Sequence, residues 1–246
     1  MTDPVLWLDT VDSTNAEARR RAEAGEEGPL WIAAERQTAG RGRRGREWRT
    51  PGGGLAATFL TCSPLTAAEA AGVSFVAAMA VSDLAGAYVP EVLVSLKWPN
   101  DVLVDGEKLA GILVETGPAP RGGVWLAVGI GVNLSAVPPD VERPATALSR
   151  HLALGCDTPT PRQALAVLAK SFDCWRQLWE KAGLPLILDA WSGRSVGIPG
   201  PCTARLADET LEGTAEGLDS EGRLRLRLAD GDLRRIAAGD VFFGKA

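Results

Sequence analysis

Short apolar segments bounded by turn residues recur along the first half of the chain and predict strands. Two of them, Leu30–Glu35 and Leu55–Thr61, flank a long polar loop, Arg36–Gly54. Asp105-Gly106, a dipeptide typical of tight hairpins, separates two further apolar runs. The remaining predicted strands of this half are Val94–Trp98, Val102–Val104, Leu109–Glu115 and Val124–Leu134.

Helices are predicted where an apolar periodic segment follows a capping sequence. Three capping boxes are present, from Thr14 to Glu17, from Thr66 to Glu69 and from Thr160 to Gln163. The predicted helices are Ala16–Ala24, a long apolar helix from Thr66 to about Gly86, a third from Pro161 to about Ala182, and a shorter one over Leu184–Trp191.

The pattern changes after Ser195, where short apolar runs alternate with polar turns. Four strands are predicted there: Cys202–Ala207, Leu211–Leu218, Arg223–Leu228 and Leu233–Ala237. We therefore predict an α+β fold, a mixed sheet with helices packed on it, followed by a small all-β barrel. The Gly- and Pro-rich stretch Gly193–Pro201 marks the boundary, which divides the chain into residues 1–195 and 196–246.

Composition narrows the class of protein. Apolar residues make up 46% of the 246 residues and charged residues 23%, which excludes a disordered chain. No apolar run approaches the roughly 18 residues of a membrane span, so we expect no transmembrane segment and no membrane partner. The sequence shows no secretory signal. The net charge of -5 argues against nucleic-acid binding by the surface as a whole.

The rare residues exclude several kinds of site. The cysteines Cys62, Cys156, Cys174 and Cys202 form no C-x-x-C pair, and we expect reduced thiols in a cytoplasmic protein. His151 is the one histidine, so a site with two histidine ligands cannot form within one chain. We do not expect a histidine base, and chemistry that neutralises charge fits the composition better.

The densest candidate feature is the loop sequence Gly40-Arg41-Gly42-Arg43-Arg44-Gly45-Arg46. Residues 36–50 contain six arginines and one acid, a net charge of +5, so the rest of the chain carries -10. Glycines expose backbone N–H groups, and arginine forks suit phosphate or carboxylate oxygens. We interpret the loop as a mobile lid over a small anionic ligand, because a nucleic-acid contact of this type is usually a tail or a repeat. Trp48 either stacks on a flat ring or packs against the loop.

Four weaker motifs accompany this loop. Asp12-Ser13-Thr14-Asn15 and Lys97-Trp98-Pro99-Asn100-Asp101 are explained individually by a helix cap and a turn. Lys108–Glu115 opens an apolar strand with a lysine and contains a glycine, which indicates a ligand close to the backbone or a bulge. Gly129 and Gly131 share one face of a strand and leave room for a ligand or a large side chain.

Taken together and in this order, the motifs resemble those of the biotin–protein ligase family. The resemblance covers most of residues 12–134, and the run Gln37–Arg46 is very specific to that family. It implies that the protein activates biotin with ATP and Mg²⁺ to biotinyl-5'-adenylate and pyrophosphate. Biotin would then pass to one lysine of a biotin carboxyl carrier protein or domain. The C-terminal segment is similar in texture to the small SH3-like β-barrel domain of the family.

The resemblance also implies roles for individual residues. Arg43 and Lys108 are the expected catalytic residues, which neutralise charge while the biotin carboxylate attacks the α-phosphate. The expected biotin-binding residues are Ser13, Thr14, Asn15, Gln37, Gly40, Arg41, Gly42, Arg43, Lys108, Gly111 and Gly129. The expected ATP-binding residues are Arg43, Arg46, Trp48, Lys97, Asn100, Asp101, Lys108 and Asn133. The metal ligands are left open.

Some members of the family carry a DNA-binding winged helix before the ligase domain and act as repressors. Only eleven residues precede Asp12, fewer than the roughly 40 that an independent domain needs, so we expect no repressor role and no DNA partner. The sequence does not decide whether the chain forms a homodimer. Two alternatives are a lipoate–protein ligase, whose family does not usually show the arginine–glycine run, and a nucleic-acid-binding protein with salt-sensitive affinity.

Overall fold

The computed structural model describes residues 3–139 and 144–244, and its larger part is built on a seven-stranded sheet. The strands are β1 Val5–Val11, β2 Leu30–Gln37, β3 Leu55–Ser63, β4 Val94–Lys97, β5 Asp101–Val104, β6 Glu107–Pro118 and β7 Val124–Val132. Their order is β1-β2-β3-β7-β6-β5-β4. β1 and β2 run parallel and every other neighbouring pair is antiparallel, so the predicted mixed sheet is confirmed.

Helices cover both faces of this sheet. They are α1 Thr14–Glu23, α2 Ala67–Ala70, α3 Val73–Gly86, α4 Pro161–Ala182 and α5 Leu184–Ser192. α1 packs on one face of β3 and β7, and α3 packs on the other face against β7, beside α4, which contacts β3. β7 is buried over all but its first residue as a result. Trp31, Phe59 and Phe172 join the sheet to α4, with ring centroids 4.9 to 5.4 Å apart.

The long helix predicted from Thr66 is divided in two. A break at Gly72 separates α2 from α3, and a Cβ at Gly72 would lie 3.1 Å from the Leu184 side chain at the start of α5. Contrary to the sequence-based expectation, the segment 67–86 is long and apolar enough for a membrane span, with a mean hydropathy of 1.4. Two thirds of it is buried inside the fold, and α3 forms part of the core.

Two of the three predicted capping boxes are confirmed. Thr66 and Thr160 each accept from the backbone N–H of the residue three positions later, whose side chain accepts from the capping residue. The box at Thr14 is wrong, because Ser13 is the N-cap and makes no side-chain cap bond. Thr14 is instead the first helical residue, and its hydroxyl faces Gln37 and Thr58 in a tertiary network.

The C-terminal segment forms a five-stranded antiparallel sheet. Its strands are β8 Gly200–Arg205, β9 Thr210–Leu218, β10 Leu224–Leu228, β11 Leu233–Ile236 and β12 Asp240–Phe243. Their order is β11-β10-β9-β8-β12, with β11 and β12 at the two edges, and the predicted small β-domain is confirmed. The buried Trp98 Nε1 donates to the Gly222 carbonyl at 3.0 Å and fastens this sheet to the larger part.

Candidate active site

A cavity of about 400 Å³ opens where the seven-stranded sheet, residues 40–49 (the arginine-rich loop) and the start of β12 meet. It gathers sixteen of the seventeen residues that the sequence analysis selected. Those residues are Ser13, Thr14, Asn15, Gln37, Arg41, Gly42, Arg43, Arg46, Trp48, Lys97, Asn100, Asp101, Lys108, Gly111, Gly129 and Asn133. The seventeenth, Gly40, is a buried residue of the loop itself that does not line the cavity, and a Cβ there would come within 2.4 Å of the Trp48 carbonyl oxygen.

One end of the cavity is a network of neutral polar groups. Gln37 Oε1 accepts from the Thr14 backbone N–H at 2.8 Å, and Thr58 Oγ1 lies 2.8 Å from the Thr14 hydroxyl. Thr58 also donates to Asn15 Oδ1 at 2.7 Å. Thr14, Asn15 and Thr58 are all nearly inaccessible to solvent. Since each of these groups is held by another, the network offers fixed donors and acceptors to a neutral polar ligand.

Glu115 extends this network beyond the residues that the sequence analysis found. Its Oε2 accepts from Asn15 Nδ2 at 2.7 Å, and its Oε1 lies 3.6 Å from Arg41 Nη2. Asn15 Nδ2 also donates to the Leu113 carbonyl at 3.2 Å. The polar end is thereby tied both to the arginine-rich loop and to β6.

Two glycines of β7 make room for side chains that line the cavity. A Cβ at Gly129 would lie 2.1 Å from Asn15 Oδ1, and a Cβ at Gly131 would lie 2.3 Å from the Trp48 indole. Asn15 and Trp48 therefore pack directly over these two glycines, and the large side chain that the sequence left open as an alternative is Trp48 over Gly131. Trp48 Nε1 is buried and has no hydrogen-bond partner within the described part of the chain.

The arginine-rich loop folds back on itself and reaches the small sheet. Gly42 N donates to the Arg46 carbonyl at 2.7 Å, and Trp48 N donates to the Gly40 carbonyl at 2.9 Å. Asp240 at the start of β12 forms ion pairs with Arg44, at 3.2 Å, and with Arg46. The small sheet thus holds the outer side of the loop.

Arg43 points inward from the same loop. Its Nη1 donates to Asn100 Oδ1 at 3.2 Å, and Asn100 Nδ2 donates to the Ile112 carbonyl at 2.7 Å. Burial lowers the pKa of Arg43, an effect opposed by the nearby carboxylates of Asp240 and Asp101. Because an arginine stays protonated in proteins, this is a partly desolvated positive charge at the cavity wall.

Lys108 supplies a second cation. Its Nζ lies 2.6 Å from Asp101 Oδ1 and 5.6 Å from the centre of a Trp48 ring. The β5–β6 register shifts between Val102 and Leu103, so that a bulge at Leu109 lies next to the lysine. Bulges commonly re-aim a side chain beside an active site. Cations from the loop, from β4 and from β6 therefore line the region beside the neutral polar end, an arrangement that suits an anion.

Comparison with known proteins assigns the chain to a family. The model of the biotin/lipoate A/B protein ligase family matches residues 7–135, more than half of the chain. The chain belongs to this family. The model of the biotin protein ligase C-terminal domain matches residues 201–244 as well.

Relatives of this ligase-family chain match nearly all of it. A biotin–(acetyl-CoA-carboxylase) ligase from Paracoccus denitrificans is 41% identical over 96% of this chain and 99% of its own length. A protein of the same name from Mycobacterium tuberculosis is 32% identical over 93% of this chain and 85% of its own length. Among solved structures, the biotin protein ligase from Aquifex aeolicus in complex with biotin and ATP has a TM-score of 0.79 at 24% identity. That match covers 98% of this chain and 99% of the other and supports the fold.

Several residues that hold this ligase-family site in place carried no signal in the sequence. Thr58 lies inside the apolar strand β3 and Glu115 inside β6, so neither stood out from its neighbours. Asp240 follows a small turn and meets the arginines only because the two sheets pack together. Its charge, opposite to that of the nearby loop, was the one available hint.

An Asp240→Asn variant of this ligase-family chain is expected to expose the arginine-rich loop. Replacing the carboxylate removes the charge that holds Arg44 and Arg46, and exposed ion pairs of this kind contribute at most about 1 kcal/mol, or roughly fivefold. Trypsin should therefore cleave within residues 41–49 up to about fivefold faster, as followed by mass spectrometry. Asp230→Asn is the control, because its carboxylate accepts from the Asp232 backbone N–H within a turn of the small sheet. Equal cleavage rates in the two variants would contradict the prediction.

Proposed function

We propose that the protein activates biotin with ATP to biotinyl-5'-adenylate and then transfers biotin to a lysine of a biotin carboxyl carrier domain. The observation that carries this proposal is the cavity itself, in which a neutral polar end adjoins a cluster of cations. Biotin combines a neutral ureido ring with a carboxylate, and ATP adds phosphates. The family and the 41% identical biotin–(acetyl-CoA-carboxylase) ligase support the same substrates.

Biotin would bind with its ring at the polar end. The hydroxyl and amide groups of Ser13, Thr14, Asn15 and Gln37 would contact the ring, and the surface near Gly111 and Gly129 would accommodate its apolar part. The loop backbone at 40–43 would cover the tail. This orientation directs the carboxylate toward Arg43 and Lys108.

In the first half-reaction, an oxygen of the biotin carboxylate attacks the α-phosphorus of ATP. The new P–O bond forms while the bond to pyrophosphate breaks, and negative charge accumulates on the phosphate oxygens. Arg43 and Lys108 would stabilise this charge through hydrogen bonds that strengthen in the transition state. No histidine base is required, since the carboxylate is already ionised.

The remaining cationic and polar residues would hold the nucleotide. Arg46 and Lys97 would contact phosphate oxygens, while Trp48 and Asn133 would lie on the adenine side. The unpartnered Trp48 Nε1 is available to an acceptor of the bound nucleotide.

Magnesium would enter with the phosphates. Mg²⁺ keeps several waters and usually takes only one or two protein carboxylates besides substrate phosphates. The oxygens of Asn100 and Asp101 fit that limited demand, and the described residues contain no cluster of three His, Cys, Asp or Glu side chains. When bound, the ion would neutralise phosphate charge.

In the second half-reaction, the amine of the carrier lysine attacks the carbonyl carbon of the mixed anhydride, and AMP leaves. The adenylate is reactive, so the main task of the protein is to exclude water until the carrier arrives. The arginine-rich loop, held from outside by Asp240, would provide this cover.

The wider setting of the enzyme is also proposed. The catalytic domain would comprise residues 1–195, and the small β-domain would comprise residues 196–246. Residues 1–2 of the first and 245–246 of the second lie outside the described part. A cytoplasmic location agrees with four free cysteines. One of them, Cys202, is buried, and burial raises the pKa of its thiol to about 11, so that it stays in the thiol form at neutral pH.

The decisive test is ATP–pyrophosphate exchange with purified protein and Mg²⁺, run with biotin, with lipoate and without an acid. Exchange that depends on biotin alone is expected. Exchange with lipoate alone would show that lipoate, and not biotin, is the substrate. No exchange with either acid would overturn the adenylation proposal.

A Gly129→Ala variant is expected to weaken biotin binding. Its methyl group would displace Asn15, which organises the polar end, and the loss of one to two buried hydrogen bonds corresponds to about tenfold to hundredfold in affinity. Isothermal titration with biotin measures the change. Gly86→Ala at the end of α3 is the control, because nothing lies within 4 Å of its added Cβ. Equal affinities of the two variants would show that Asn15 does not position the ligand.

A further inference from the structure

The segment that follows Pro144 replaces β7 as the neighbour of β6 beside Lys108. The β6–β7 pairing ends at Ala110 and Val132. Beyond that point, Lys108 N donates to the Pro144 carbonyl at 3.1 Å, and Thr146 N donates to the Lys108 carbonyl at 2.9 Å. The segment therefore satisfies both backbone groups of the lysine where the bulge interrupts the sheet.

Thr146 connects three elements around the cavity without lining it. The residue is fully buried. Besides its bond to Lys108, its carbonyl accepts from Asn133 Nδ2 at 3.0 Å, and its hydroxyl lies 2.8 Å from His151 Nε2. Two residues of the nucleotide side are thus held by the backbone of one buried threonine.

His151 closes this arrangement from the other side. Its backbone N–H donates to the Leu148 carbonyl at 3.0 Å, and the Leu148 N–H donates to the Asn133 carbonyl at 3.0 Å. The bond between the imidazole and the Thr146 hydroxyl therefore joins the two ends of the turn 146–151. That turn contacts Asn133 through the Thr146 carbonyl and the Leu148 N–H. His151 is the one histidine of the chain, and catalysis as proposed above does not use it.

We propose that Thr146 and His151 are positioning residues for adenylation, acting through Lys108 and Asn133. The proposal rests on the function proposed above. The hydroxyl–imidazole bond fixes the Thr146 backbone, and that backbone fixes where the Lys108 ammonium and the Asn133 amide stand. Small displacements of a group that stabilises a transition state are costly in rate, whereas the distant polar end that would bind the biotin ring is unaffected.

The test compares exchange kinetics of Thr146→Val, which removes the hydroxyl at nearly constant volume, with those of Thr146→Ser, which keeps it. In the valine variant, kcat is expected to fall about tenfold and KM for ATP to rise, while KM for biotin stays within about twofold of wild type. The serine variant should recover most of the rate. Thr116→Val is the control, because it removes a hydroxyl that bonds the Trp125 backbone carbonyl and not His151, on the same strand as Lys108 but away from the cavity.

A second variant tests whether the two residues act as one unit. His151→Phe should reproduce the loss of the valine variant, and the double variant should be no slower than either single variant. Additive losses would overturn the proposal. So would a valine variant with wild-type kcat and only a lower melting temperature, or one in which KM for biotin changes as much as KM for ATP.

The single histidine offers a measurement on the unaltered protein. In protein labelled with ¹⁵N-histidine, the one imidazole should change its resonances when ATP and Mg²⁺ are added, and should not change with biotin alone. Unchanged resonances on nucleotide binding would contradict the coupling. If the wild-type protein shows no biotin-dependent exchange, the proposed function is wrong. If the wild type is active and Thr146→Val is equally active, the proposed function stands and the positioning role of Thr146 is wrong.

Discussion

A Lys108→Ala variant is expected to lose biotin-dependent ATP–pyrophosphate exchange by about a hundredfold to a thousandfold. The ammonium lies 2.6 Å from Asp101 and is partly enclosed by Trp48, so it is held in place before the substrates arrive. A cation that is already in place needs little reorganisation when negative charge develops on the phosphate. In the alanine variant, water would fill the place of the ammonium and would have to reorganise as the charge develops. Removal also leaves the Asp101 carboxylate without its counter-ion, next to phosphates of the same sign.

The expected loss falls on the chemical step more than on biotin binding. Exchange rates and biotin affinity should therefore be measured on the same preparation, with Lys170→Ala on an exposed position of α4 as the control. Equal losses of rate and affinity would assign Lys108 to general ligand binding and not to charge stabilisation in the transition state.

An Arg43→Ala variant is expected to release biotinyl-5'-adenylate about tenfold to a hundredfold faster than wild type, because a hydrogen bond to a charged group contributes about 1.5–3 kcal/mol. Arg43 is partly buried and anchored on Asn100, which distinguishes it from the exposed arginines of the same loop. Its guanidinium carries its charge at a fixed point of the cavity wall, where a phosphate can meet two parallel N–H groups.

Release is measured by trapping adenylate that leaves the protein after a single turnover. Arg36→Ala, an exposed position on β2 that does not line the cavity, is the control. Arg43→Lys should lie between the two, since lysine keeps the charge but not the fork. An alanine variant with the adenylate affinity and rate of wild type would mean that Arg43 is only a solvated charge.

Much of the fold could be predicted from local patterns, and the exceptions share a cause. Strands with apolar runs and helices with capping boxes at Thr66 and Thr160 were found where they occur. β1 was missed because Asp9 and Thr10 interrupt its apolar run, and β12 was missed although its last three residues are apolar. Thr14 had the sequence of a cap, but its hydroxyl bonds partners on other strands, a tertiary contact that no local pattern records.

The candidate site was predicted through its charged and glycine-rich parts. An arginine cluster in an acidic chain and glycines inside apolar strands are conspicuous, and the structure brings them around one cavity. The groups that hold them are ordinary residues of sheets and turns, as Thr58, Thr146 and Asp240 illustrate. Their importance arises from packing between elements far apart in sequence, which a single sequence does not display.

The way in which the cavity is assembled has a consequence for synthesis. Ser13 and Asp240 line the same 400 Å³ space, yet the ribosome adds Asp240 long after Ser13. Domains fold as units during synthesis, the N-terminal part first, so a nascent chain can complete the seven-stranded sheet while its arginine-rich loop still lacks Asp240. In an unfinished chain the sheet is present but the loop that covers the cavity is not yet held. Such a chain cannot retain a reactive acyl-adenylate among the other nascent proteins around it.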